Sequence, residues 1–162
     1  ASEYSVLAGF GFSLVFVLTG MVMGRAADVH NRKWILVAGL LIWNAAEACQ
    51  GLSNNFWQLL LSTMFLGIGQ SFSSPASFSL VADFFPRHAR ARANGFLSLG
   101  AYVGSGLGSL SILLALRLGW RGALFVVAAF GFALALLTLF TLFEPARGQH
   151  DQQQGGGMGM DA

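Results

Sequence analysis

Charge is scarce in this sequence: nine Lys and Arg and seven Asp and Glu are spread over 162 residues. A soluble domain carries about a quarter charged residues, so a chain that is 10% charged belongs with membrane proteins instead. Cysteine is nearly missing too. The single Cys49 excludes an internal disulfide framework and any cysteine-based zinc or iron–sulfur site. No basic stretch with interleaved aromatics occurs, which removes nucleic acid as a partner. Catalytic patterns are lacking as well: there is no Ser/His/Asp set, HExxH, phosphate loop or dinucleotide fingerprint. The cluster "GSGLGS" at 104–109 sits inside an apolar run with no strand before it, so it is not a phosphate loop. Nor is a cleavable leader evident, because "ASEYS" has no basic start and the run after it is too long. No cofactor, no metal and no enzymatic activity are therefore expected.

What is there is apolar. Hydrophobic residues make up 55% of the chain, with 15 Phe and 21 Gly, and the mean hydropathy is +0.64. Crossing the hydrocarbon takes about 20 mostly apolar residues in a helix. Five segments meet that need, at about 5–24, 34–52, 56–85, 95–116 and 123–143, with no strand signal. The fold class expected is an all-α integral membrane protein with five transmembrane helices in one domain over 1–148. The polar, Gly- and Gln-rich stretch 149–162 reads as a disordered tail or linker.

Basic residues supply the orientation. With alternating helices, the breaks at 25–33, 86–94 and 144–148 share one side of the membrane. They hold Arg25, Arg32, Lys33, Arg87, Arg90, Arg92 and Arg147, whereas the other side holds only Arg117 and Arg121. Such a bias places the three breaks in the cytoplasm. The N-terminus is then outside and the C-terminus inside. Trp34, Trp57 and Trp120 fall at the interfaces, where aromatic rings anchor helices. Small residues repeat at four-residue spacing, with Gly9, Ser13, Gly20 and Gly24 on the first helix and Gly100, Gly104 and Gly108 on the fourth. That spacing allows close backbone approach, and it also suits a rocking surface.

Topology does not explain the order Gly24-x-x-x-Asp28-x-x-x-Arg32-Lys33 in "MVMGRAADVHNRKWIL". A topology signal needs only cations, yet an aspartate stands in the middle. A carboxylate there can accept bonds from a helix N-terminus or pair with a basic group. The pattern resembles the cytoplasmic loop motif G-x-x-x-D-x-x-x-R-[RK] of the major facilitator superfamily of transporters. The stretch "FWQLLLSTMFLGIGQSFSSPASFSLVADFFPRHARARANGFLSLGAYVGSGLG", with "LGWRGALFVV" and "LFTLFEPARG", is similar to its Spinster-like branch.

The resemblance covers about residues 3–148 and implies helices two to six of an N-terminal transporter half. It implies a cytoplasmic gate of Gly24, Asp28, Arg32 and Lys33, with Asp83 and Arg92 as nearby acidic and basic partners. Ordinary interfacial charges are the alternative for all six. His30 and His88 read as solvated loop residues. Spinster-like transporters usually carry an arginine and, seven residues later, a glutamate in helix four. Here those places read Thr63 and Gln70, so proton coupling by that pair is not supported.

Thr63, Gly67, Gln70 and Ser74 lie on one helix face. Lining of a central cavity and hydrogen-bonded glue between helices are both open for them. Pro75 removes a backbone donor one residue later and should kink the helix. Glu47 is the one ionisable group inside a span, about 20 Å along the helix from Trp34 at 1.5 Å per residue. An intramembrane carboxylate is a candidate proton or cation site, and a protonated or hydrogen-bonded Glu is the alternative. The function expected is a secondary transporter piece moving a small organic or amphiphilic solute by alternating access in the bacterial inner membrane. A non-transporting scaffold derived from a transporter half is the rival reading. Partners expected are membrane lipid, the solute, and a second transporter half or a larger membrane complex.

Overall fold

A computed structural model describes residues 2–145, with the side chains of 2–6 and 8 left aside. Four helical runs follow one another: α1 (Ser2–Val29), α2 (Arg32–Leu52), α3 (Phe56–Phe84) and α4 (Arg87–Thr141). The described residues contain no strand. The expected tail at 149–162 lies outside them.

Each boundary has a local cause. α2 starts where the Asn31 side chain accepts a hydrogen bond from Trp34 N at 3.3 Å, the usual service of an N-cap residue. α3 starts in the same way. Asn55 Oδ1 accepts from Gln58 N at 2.9 Å, and Gln58 reaches back with Oε1 to accept from Asn54 N at 2.9 Å. Pro86 precedes α4, where its missing N–H costs nothing because the first helical donors have no partner in the helix.

α4 has 55 residues, too many for one crossing at about 20 residues each, and its helical path is broken at Gly119 (φ 74, ψ 162). Only glycine takes such a backbone without a Cβ penalty. The run is thus two arms, 87–118 and 120–141. Two boundaries differ from expectation. α1 continues through the motif to Val29 rather than ending near 24, and α4 starts at Arg87 rather than near 95. The charged residues there are good helix formers, and charge alone does not end a helix.

Three runs are long and apolar enough to cross a membrane: Gly9–Val29, Arg32–Leu52 and Arg87–Thr141. α3, read from sequence as a span, is not among them despite its 29 residues. Six serines, Thr63 and two glutamines dilute its apolar content. Ser62, Ser71 and Asp83 of α3 are buried in the bundle.

α3 is the hub, with α1 and α2 packed along it and the second arm of α4 packed on α2. The α2–α3 crossing depends on two facing glycines. A Cβ at Gly69 would stand 2.8 Å from Trp43 Cα and 2.9 Å from the Gly39 carbonyl oxygen. On the other side, a Cβ at Gly67 would stand 3.0 Å from the Phe12 carbonyl oxygen of α1. The stripes singled out in the sequence behave differently. At Gly9, Gly24, Gly100, Gly104 and Gly108 an added Cβ would have nothing within 4 Å, and at Gly20 it would just touch Ser71 Cβ at 4.0 Å. The tight approaches fall instead at Gly39, Gly67, Gly69 and Gly131.

Replacing Gly69 with Ala forces the α2 backbone away from α3. The expected loss is about 1–3 kcal/mol, as for other overpacked interiors, read as a lower thermal unfolding midpoint of the detergent-purified protein.

Candidate functional site

The motif at the α1–α2 turn folds into a cluster drawn from three distant parts of the chain. Arg32 is the first residue of α2 and Asp83 lies on the last turn of α3. Their guanidinium and carboxylate form an ion pair, with the two residues 7% and 6% exposed. Arg32 Nε also donates to the Ala27 carbonyl at 3.4 Å. One arginine thereby ties the end of α1, the start of α2 and the end of α3 together. Withdrawing both charges from water is costly, so the pair holds only with good geometry and further hydrogen bonds.

Glu144 completes the cluster. Its Oε1 accepts from the Arg32 backbone N at 3.2 Å and its Oε2 from the Lys33 backbone N at 2.9 Å. A helix start leaves its first N–H groups without partners and carries partial positive charge. Glu144 answers both needs, and Asn31 takes Trp34 N. Phe143, the preceding residue, stands edge-to-face on Phe84 of α3 with ring centroids 5.1 Å apart. The end of the second arm is thus fastened to α2 and α3 at once.

The other motif residues are placed differently. Asp28 is exposed on the last turn of α1, Lys33 is half-buried, and Gly24 meets no neighbour where a Cβ would stand. Arg92 is exposed on α4 and is not joined to Asp83 by any hydrogen bond or ion pair among the described residues. Arg32 reaches back along its own turn only to the Ala27 carbonyl. Arg32 pairs across to α3, and Lys33 contributes its backbone amide.

The polar stripe of α3 splits. The Thr63 hydroxyl donates to the Leu59 carbonyl at 2.8 Å and accepts from Gln50 Nε2 of α2 at 3.2 Å. That is interhelical bonding. Gly67 is closed against Phe12. Gln70 is half-buried and Ser74 exposed. Glu47 is half-buried on α2, while its neighbour Asn44 is buried and fills the space that the missing side chain of Gly131 leaves.

The Major Facilitator Superfamily model matches residues 1–158 of the chain. The chain belongs to that superfamily. Within it the chain is Spinster-like. It is similar to the sphingosine-1-phosphate transporter SPNS2 of Danio rerio, 32% identical over 148 residues, covering 89% of this chain and 29% of that protein. It is also similar to protein spinster homolog 1 of Rattus norvegicus, 29% identical over 144 residues, covering 86% of this chain and 27% of that protein. A crystal structure of a bacterial homologue of the human lysosomal transporter Spinster, inward-facing and occupied, superposes with a TM-score of 0.79 at 29% identity. That match covers 96% of this chain and 39% of the solved one. The chain spans less than a third of the length of the two curated relatives.

In this Spinster-like chain the residue that sequence reasoning passed over is Glu144. "LFEPARG" was informative only as a stretch of family likeness. The usable signal was an acid followed by proline at the end of a span, on the same membrane side as the start of α2. Removing one partner of the buried pair should cost about 3–5 kcal/mol. Thermal unfolding of Arg32→Ala and Asp83→Ala reads that loss, and the double replacement Arg32→Met with Asp83→Leu should lose less than either. Glu144→Gln keeps one acceptor, turns the other into an NH2 donor facing a backbone N–H and drops the charge at the helix start, for a loss of about 1–3 kcal/mol read by thermal unfolding.

Proposed function

We propose that the chain works as the N-terminal part of a secondary transporter that moves a small organic or amphiphilic solute by alternating access. In this reading α4 crosses the membrane twice, giving five spans that correspond to helices two to six of a six-helix half. The Arg32–Asp83 end faces the cytoplasm of a bacterial inner membrane, and the N-terminus lies outside. Alternating access needs two sets of helices rocking about a midplane site, so a second transporter half, or a larger membrane complex, is the partner.

The observation that carries the proposal is the convergence of α2, α3 and the end of α4 on Arg32, Asp83 and Glu144. Rocking requires a half that moves as one body. A buried ion pair and a capped helix start, both at one end, make the three ends a single block. Asp28, exposed at the tip of that block, is then offered to the facing half, where a carboxylate suits a helix N-terminus. Gln70 and Ser74 are the stripe residues assigned to the solute path, whereas Thr63 and Gly67 hold helices together. No cofactor is assigned. Coupling through ionisable groups on α3 is not assigned either, since Thr63 and Gln70 carry none, and Glu47 is the candidate acid. The same two residues favour the rival reading, a transporter half retired into a scaffold.

Transport by the intact protein in proteoliposomes separates these roles. Asp28→Asn should abolish uptake. Asp83→Asn should lower both uptake and the unfolding temperature. Unchanged uptake in Asp28→Asn would remove the gate role, and no uptake by the wild type of any amphiphile tried would favour the scaffold.

A further inference from the structure

A cavity of about 620 Å³ opens between α2 and α3 at the end remote from the Arg32–Asp83 pair. That volume lies inside the range of about 300–1,000 Å³ usual for small-ligand sites. Its walls are apolar, set by Ala45 and Cys49 of α2 and by Leu61 and Phe65 of α3. On α2 these positions are turned away from Asn44 and Gly51, the residues that meet the second arm of α4. The groove therefore opens on the outside of the α2–α3 pair, and Cys49, Leu61 and Phe65 are all exposed along it.

Its mouth has the opposite chemistry. The groove ends at Ser53, Asn54 and Gln58, on the turn that joins α2 to α3. Trp57, 69% exposed, stands beside that turn, as aromatic residues do at the membrane–water boundary. Arg121 sits over the turn from the second arm. Its Nη2 donates to the Ser53 carbonyl at 2.8 Å and to Asn54 Oδ1 at 3.1 Å, and its guanidinium lies 5.1 Å from the Trp120 ring centroid. Both recorded bonds use one nitrogen. The exposed guanidinium keeps Nε and Nη1 donors for a phosphate, the anion its planar fork suits.

From the hydrocarbon outward, the order is apolar walls, then hydroxyl and carboxamide groups, then a cation. That order matches one molecule read end to end: acyl chain, ester linkage, phosphate. We propose that this groove is a binding site for a membrane phospholipid, with one acyl chain between α2 and α3 and its phosphate at Arg121. The site is separate from the solute path, which lies on the Gln70–Ser74 face of α3.

Native mass spectrometry of the full-length protein, released from mild detergent after equilibration with phosphatidylglycerol, tests the proposal. One phospholipid should remain bound to the wild type. Retention should fall at least tenfold in Ala45→Trp and in Leu61→Trp, which fill the groove from opposite walls. Two variants guard against one that fails to fold. Arg121→Gln should lower retention of phosphatidylglycerol several-fold. A wild type that retains no phospholipid, filled variants that retain as much as the wild type, or equal retention of uncharged diacylglycerol would each overturn the assignment.

Discussion

A guanidinium and a carboxylate taken out of water together must stay together, and the rest of this bundle is arranged around that demand. Arg32 and Asp83 are both buried once α3 closes over the start of α2. Separating them would strand two charges among packed protein groups. The ends of α1, α2 and α3 therefore share one fixed point. Glu144 adds the second arm of α4 through the backbone of the same arginine. A motif that looks in sequence like a loop between two spans is in structure a joint between four.

Away from that joint the helices are held by shape. Lipid tails give helices no hydrophobic reason to associate, so close backbone contact has to do so. Gly39 and Gly69 bring α2 and α3 together, and Gly67 receives the α1 backbone. Thr63 and Gln50 add a hydrogen bond at the same interface. Gly67 shares its face of α3 with Gln70 and Ser74, so along that one stripe close packing gives way to a half-buried Gln70 and an exposed Ser74.

Much of this was legible beforehand. Helical class, the turn at "SNNFW" and the break at "RLGWRG" could be read from composition and spacing, whereas Asp83 as an acid near the motif was only implied by the family resemblance. The reversal at Gly119 shows why the break was readable: a positive φ calls for glycine, and the sequence supplies one. What escaped reading depended on contacts across the chain. α1 runs on to Val29 because Arg25, Ala26 and Ala27 are good helix residues, whatever their charge. Glu144 was passed over because an acid near a helix end looks much the same whether it meets solvent or caps another helix. The glycine stripes of α1 and α4 meet almost no neighbour among the described residues for a related reason. Spacing reports where close approach is allowed, and only a partner decides where it happens.

The bond from Glu144 to the amides of Arg32 and Lys33 joins residues more than a hundred positions apart. A ribosome delivers Arg32 long before it delivers Glu144. Until Glu144 emerges, then, the first turn of α2 must borrow its missing acceptors from water or lipid headgroups. These helix ends are clasped only when the second arm of α4 has been threaded, so order of birth and order of closure run in opposite directions.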